Sequence, residues 1–199
     1  MTKFYRVIYT LFVWPVRAIF PIKVVHPENI PTEGGCLVCS NHTSMLDVLI
    51  LSAGLKRQIR YMAKKEAMTV PVVGKFLSAL GAYPVNRGGA DVGAIKHTIE
   101  MLKGGAAVGM FPQGHRYNGV DPRTTSVKTG AAMIAQKAGV QVLPVFVKVK
   151  NNKHFFLCKK EVIVGKPISP EEMNYNPDVP GEYQRIAELL FERVCELGD

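Results

Sequence analysis

From Gly35 onward the chain alternates short apolar runs with longer stretches whose apolar residues return every three to four positions. The short runs at 36–40, 59–63, 82–86, 106–111 and 140–148, followed by 155–158 and 161–164, predict strands. The longer ones predict helices over 44–55, 72–80, 91–102, 128–138 and 182–196. Alternating strands and helices imply an α/β domain whose mixed, largely parallel central sheet is flanked by helices. The strands on either side of Asn151-Asn152-Lys153 lie close together in sequence, so a hairpin turn there brings in one antiparallel element. A segment over 174–181 with two prolines reads as a surface loop before the last helix. At 199 residues the chain is long enough for one well-packed domain.

The first thirty residues follow a different pattern. Phe4, Tyr5, Tyr9, Phe12, Trp14 and Phe20 are interleaved with Lys3, Arg6, Arg17 and Lys23. The uncharged stretch between Arg6 and Arg17 is about half of what a membrane-spanning helix requires, and Pro15 interrupts it. No small-residue cleavage site follows, so a secretory signal is a poor fit. Rings beside cations suit the membrane interface, so residues 1–30 read as a helical segment lying on the bilayer. The competing reading is an apolar helix packed on its own domain.

Charge supports an anionic partner. The formal net charge is +9, with a basic cluster at Lys56, Arg57, Arg60, Lys64 and Lys65 and acidic residues gathered toward the C-terminus. Such a cluster also suits a plain solvated face. Nucleic acid fits the cluster but not the apolar N-terminus, and no recognition module is visible. Cys36 and Cys39 form a C-x-x-C inside a predicted strand, so their side chains point to opposite faces. No second close pair completes a zinc site, and buried free thiols in a reducing compartment are the reading adopted.

In a sheet of this kind ligands gather at strand ends, and four transitions carry polar chemistry. After the first strand come Asn41-His42-Thr43-Ser44-Met45-Leu46-Asp47. An imidazole can take a proton from a hydroxyl near neutral pH, and a carboxylate on its other nitrogen fixes the tautomer and stabilises the imidazolium. If the substrate brings its own hydroxyl, no serine or cysteine nucleophile is needed. The plain alternative is a helix start capped by Ser44 or Thr43, with Asp47 in the first turn. The second transition is Gly81-Ala82-Tyr83-Pro84-Val85-Asn86-Arg87-Gly88-Gly89, which delivers Arg87 to a strand end, where a guanidinium can clasp a phosphate. The third is Phe111-Pro112-Gln113-Gly114-His115-Arg116, a turn with polar ends for a headgroup. In the fourth, Lys128-Thr129-Gly130 opens a helix and Val142-Leu143-Pro144-Val145 lies in the next strand, its proline suggesting an edge or a bulge.

In this order the four blocks resemble those of the glycerolipid acyltransferase family, which carries a His-x4-Asp motif, and the likeness covers about residues 31 to 147. Two positions depart from the family's usual pattern, Gln113 standing where a glutamate is common and His115 where a threonine is. The resemblance implies an acyltransferase domain over 31–199. It also implies transfer of a fatty acyl group from acyl-coenzyme A or acyl-carrier protein to the sn-2 hydroxyl of lysophosphatidic acid, giving phosphatidic acid. His42 is then the general base and Asp47 its orienting acid. Arg87 is the first choice for the acceptor's phosphate, Arg116 the second and Lys128 the third, with Gln113 and Gly114 at the substrate. No metal or bound cofactor is implied. The expected setting is the cytoplasmic face of a membrane with anionic lipids, peripheral or monotopic. A different acceptor, such as glycerol 3-phosphate or a lysophospholipid, is the nearest alternative, followed by a non-catalytic protein that binds anionic membranes.

Overall fold

The computed structural model describes residues 3–86, 91–155 and 157–199. Seven strands form one sheet in the order β1-β7-β6-β2-β5-β3-β4. They are β1 (Ile22–Val25), β2 (Cys36–Ser40), β3 (Ile59–Lys64), β4 (Tyr83–Val85), β5 (Ala107–Met110), β6 (Gln141–Lys148) and β7 (Lys160–Val164). Every neighbouring pair is parallel except β6 and β7. The helices are α1 (Lys3–Ile19), α2 (Leu46–Gly54), α3 (Lys65–Thr69), α4 (Pro71–Ala79), α5 (Val92–Lys103), α6 (Gly130–Ala138), α7 (Pro170–Met173) and α8 (Glu182–Glu196).

The central strand β2 is buried at all five positions, and its alternating side chains build two cores. Leu37 and Cys39 join Leu102 of α5, Ile134 of α6 and Leu190 of α8 on one face. Cys36 and Val38 join Ile50, Leu51 and Leu55, in and just after α2, on the other. Cys36 and Cys39 are thus free thiols on opposite faces. Burial pushes the Cys36 thiol up to about 11, and that of Cys39 upward as well. Gly109 makes room for an aromatic neighbour, since a Cβ there would stand 2.2 Å from the Tyr61 ring.

The structure departs from the sequence pattern in several places. The described residues Phe155, Leu157 and Cys158 form no strand, and Leu157 stands at φ 58°. The short apolar run suggested a strand there, yet Phe155 and Leu157 are exposed and the Leu157 N–H donates to Ile19 O. The β6–β7 pair is antiparallel as expected, although its connection runs through a 3-10 turn at Lys150–Asn152 and on to Lys160. Pro144 lies in neither an edge strand nor a bulge, because β6 is flanked by β2 and β7. It is tolerated because the β6–β7 ladder ends at the Val145–Val164 pair. Beyond it the Pro144 carbonyl accepts from Gly165, and no strand N–H is required on that side. The short elements β1, α3 and α7 were not expected, being too brief to show a period.

The N-terminal helix α1 leans on α2. Tyr9 and Arg17 both donate to Ala53 O, at 3.4 and 3.2 Å, and Phe20 is buried beneath Lys160. No helix among the described residues is long and apolar enough to cross a membrane.

Candidate active site

Because β2, β5, β3, β4 and β6 are mutually parallel, their C-terminal ends share one edge, and the polar blocks meet there. Asn41, the first residue past β2, is locked to β6: its amide donates to Val147 O at 3.1 Å and accepts from Val147 N at 2.8 Å. That paired amide sets where the chain leaves the sheet. His42 follows immediately, and Asp47 comes round in the first turn of α2.

His42 Nδ1 lies 2.8 Å from Asp47 Oδ2. The same oxygen accepts from the backbone N–H groups of Thr43, at 2.7 Å, and Ser44, at 2.8 Å. Capping by Ser44 or Thr43 is therefore corrected: the helix begins after Met45, and the Asp47 carboxylate gathers the N–H groups before it. Ser44 retains a lesser part, its hydroxyl accepting from the Leu46 N–H. Asp47 is wholly buried. Burial alone would push its pKa up, but hydrogen bonds from His154, His42 and the Ser44 N–H outweigh it and hold the carboxyl at about 2. The carboxylate is therefore ionised and available to stabilise a cationic imidazole.

The His42 ring is set from two more sides. It stacks on Phe111 with centroids 3.8 Å apart and an interplanar angle of 11°. Its backbone N–H donates to Gln113 Oε1 at 2.7 Å, and its carbonyl accepts from Tyr117 N. No described residue bonds Nε2, the nitrogen opposite Asp47, and the side chain is 12% exposed. Gln113 is itself buried, and its Nε2 donates to Thr125 Oγ1 at 2.8 Å. Expected at the substrate, Gln113 here engages both polar ends within the protein and ties the β5 turn to the histidine. Gly114 turns the chain at φ 69°, and its missing Cβ would meet Lys128 Cγ at 3.2 Å. Arg116 and Lys128 are exposed beside this turn, and the Lys128 N–H donates to Pro112 O. Arg87 lies outside the described residues.

Sequence reading missed His154. It sits in the β6–β7 connection, 107 positions from Asp47, and places Nε2 2.7 Å from Asp47 Oδ1. Phe111 was read as the end of a strand and the start of a turn, not as a partner of the histidine ring. On the same sheet edge, where β4 ends, a cavity of about 560 Å³ has mostly apolar walls, including Met68, Tyr83 and Val85, with Lys65, Asn86 and His97 among its polar members. β4 lies three strands from β2, or about 14 Å.

The family model described as Acyltransferase matches residues 21–148, and the chain belongs to that family. It is therefore an O-acyltransferase. Among similar chains is the 1-acyl-sn-glycerol-3-phosphate acyltransferase of Bacillus subtilis, 33% identical over 179 residues, spanning 88% of this chain and 87% of that one. The enzyme of the same name from Borreliella burgdorferi is 32% identical over 154 residues, covering 74% of this chain and 58% of its own. The crystal structure of the 1-acyl-sn-glycerophosphate acyltransferase from Thermotoga maritima superposes with a TM-score of 0.74. That match spans 97% of this chain and 79% of the other at 24% identity, and it establishes the common fold.

Proposed function

We propose that this enzyme acylates the sn-2 hydroxyl of lysophosphatidic acid, using acyl-coenzyme A or acyl-carrier protein as donor and yielding phosphatidic acid. The observation that carries the reading is the 2.8 Å contact between His42 Nδ1 and a buried, ionised Asp47, with Nε2 open on the exposed side. His42 Nε2 takes the proton of the acceptor hydroxyl as its oxygen bonds to the thioester carbonyl carbon. The imidazolium is stabilised by Asp47. When the tetrahedral intermediate collapses, the carbon–sulfur bond breaks and the leaving sulfur takes the proton from His42 Nε2, which restores the neutral base. No nucleophilic side chain is consumed.

Arg87 remains the first choice for the acceptor's phosphate from its place in the sequence. Arg116 and Lys128, exposed beside Gly114, are the described cations best situated to assist. The apolar-walled cavity at the end of β4 suits an acyl chain, since about 14 Å from the end of β2 is within reach of a fatty chain. Leu11, Ile19, Phe155 and Leu157 are exposed apolar residues on α1 and on the loop bonded to its end. With a net charge of +9 they support docking on an anionic membrane surface.

The test is product identification. The purified protein is incubated with lysophosphatidic acid and either acyl-coenzyme A or acyl-carrier protein, and lipids are analysed by mass spectrometry. Phosphatidic acid is expected from the wild type and not from His42→Ala. Preferential acylation of glycerol 3-phosphate or a lysophospholipid would overturn the acceptor assignment. Binding to anionic vesicles without thioester consumption would overturn catalysis altogether.

A further inference from the structure

Asp47 carries two imidazoles, and the proposed reaction uses one. Oδ2 faces His42, whereas Oδ1 accepts from His154 Nε2 at 2.7 Å and lies 3.3 Å from Thr43 Oγ1. His154 Nε2 is also 2.9 Å from that hydroxyl. The His154 side chain is 3% exposed, more deeply placed than that of His42. Its Nδ1 is buried with no hydrogen-bond partner among the described residues.

These contacts define the ring's part. An ionised carboxylate only accepts, so the ring hydrogen facing it must sit on Nε2. Nδ1 then carries the lone pair, and a second hydrogen there would find no acceptor. The segment bearing His154 is also firmly held. Lys160, 1% exposed, donates from Nζ to Phe155 O at 2.7 Å and to Cys158 O at 2.5 Å. The Leu157 N–H donates to Ile19 O at 3.0 Å. The antiparallel β6–β7 turn returns the chain to the edge where β2 ends, which is how a residue so distant in sequence reaches Asp47.

Without His154 the only other described donor to Oδ1 is the Thr43 hydroxyl at 3.3 Å. A buried carboxylate short of one strong donor gains by rotating toward another, which turns Oδ2 away from His42. We propose that His154 is a positioning residue for acyl transfer, its Nε2–H clamping Asp47 Oδ1 so that Oδ2 stays aimed at His42. This rests on the reading of His42 as general base. It gives the carboxylate a histidine on each oxygen, one reacting and one holding.

The experiment compares His154→Leu, which fills the space without a donor, with His154→Gln, whose amide N–H can stand where Nε2 does. Turnover, KM for lysophosphatidic acid and for the acyl thioester, thermal stability and the imidazole NMR of histidine-labelled protein are measured. In His154→Leu kcat should fall about ten- to a hundredfold with both KM values within about threefold, the range expected when a catalytic pair is misplaced by about 1 Å. His154→Gln should recover kcat to within about threefold of the wild type. The proton shared by His42 Nδ1 and Asp47 should be seen in the wild type and His154→Gln and be lost in His154→Leu. Unchanged kcat in His154→Leu, or equal losses in both variants that follow only their melting temperatures, overturns the proposal. If His154→Leu does not fold, the wild-type spectrum decides, since a ring protonated on Nδ1 rather than Nε2 also overturns it. Should His42→Ala keep its turnover, the base assignment fails, while the spectra still report whether His154 grips Asp47.

Discussion

Two carboxylates in this protein have the same depressed pKa and opposite uses. Asp47, in the first turn of α2, and Glu182, at the start of α8, are both held at about 2. Glu182 is held first by the Arg185 guanidinium, at 2.7 Å from Oε1 and 2.8 Å from Oε2, and then by the Asn176 N–H. Arg185 also reaches Met173 O and Asn174 O, so the group staples the 174–181 loop to the last helix. Asp47 has two imidazoles and two backbone N–H groups instead. A guanidinium never gives up its proton, whereas an imidazole does so near neutrality. The partner, not the carboxylate, separates a staple from proton-transfer machinery.

The strongest way to break this contrast is to remove the bases. His42→Ala should lower turnover by about a hundred- to ten-thousand-fold while the protein remains folded. Release of free thiol from the acyl donor measures it, and near-wild-type turnover would end the distinction. Glu182→Gln should leave turnover per folded molecule unchanged and lower the melting temperature. A loss of turnover at constant stability would show that the two carboxylates do not differ in kind.

Acid provides a subtler comparison. Because folding depresses the Asp47 carboxyl from about 3.8 to about 2, its contribution is complete above the higher value and disappears as the pH falls through the lower one. Converted to free energy, that is about 2 kcal/mol. Urea unfolding at pH about 5 and about 2.5 should therefore show a smaller acid loss in Asp47→Asn than in the wild type. Equal losses would mean that the buried carboxylate is not linked to folding. The smallest effect is expected at Gln113→Glu. It keeps an acceptor for the His42 N–H but faces the Thr125 hydroxyl, which already donates to Pro122 O. A fall in kcat of roughly three- to tenfold is expected, about the size of one compromised hydrogen bond. No change would show that the Thr125 link does not help place His42.

Much of the site was legible because its parts are local. His42 and Asp47 are five positions apart across a strand-to-helix junction, so one turn of helix suffices to join them. Gln113 and Gly114 were legible as a turn after an apolar run, although the burial of Gln113 and its bond to the His42 backbone were not. His154 could not be read at all. The residues after it form a short apolar run like a strand, whereas Lys160 bonds Phe155 O and Cys158 O, and Ile19 O bonds the Leu157 N–H. Pro144 misled for a related reason, since edge placement depends on where the neighbouring strand stops.

By itself the sequence determined the two-sided burial of β2, the alternation of strands and helices, and the His42–Asp47 pair, because period and short-range spacing encode them. Only the tertiary structure decided what completes that pair. Strand order brought the ends of β2, β5 and β6 to one edge, Phe111 beneath the His42 ring, and His154 onto the second oxygen of Asp47. Those contacts join residues about 70 to 110 positions apart, and strand order, which local patterning does not specify, is what closes such distances.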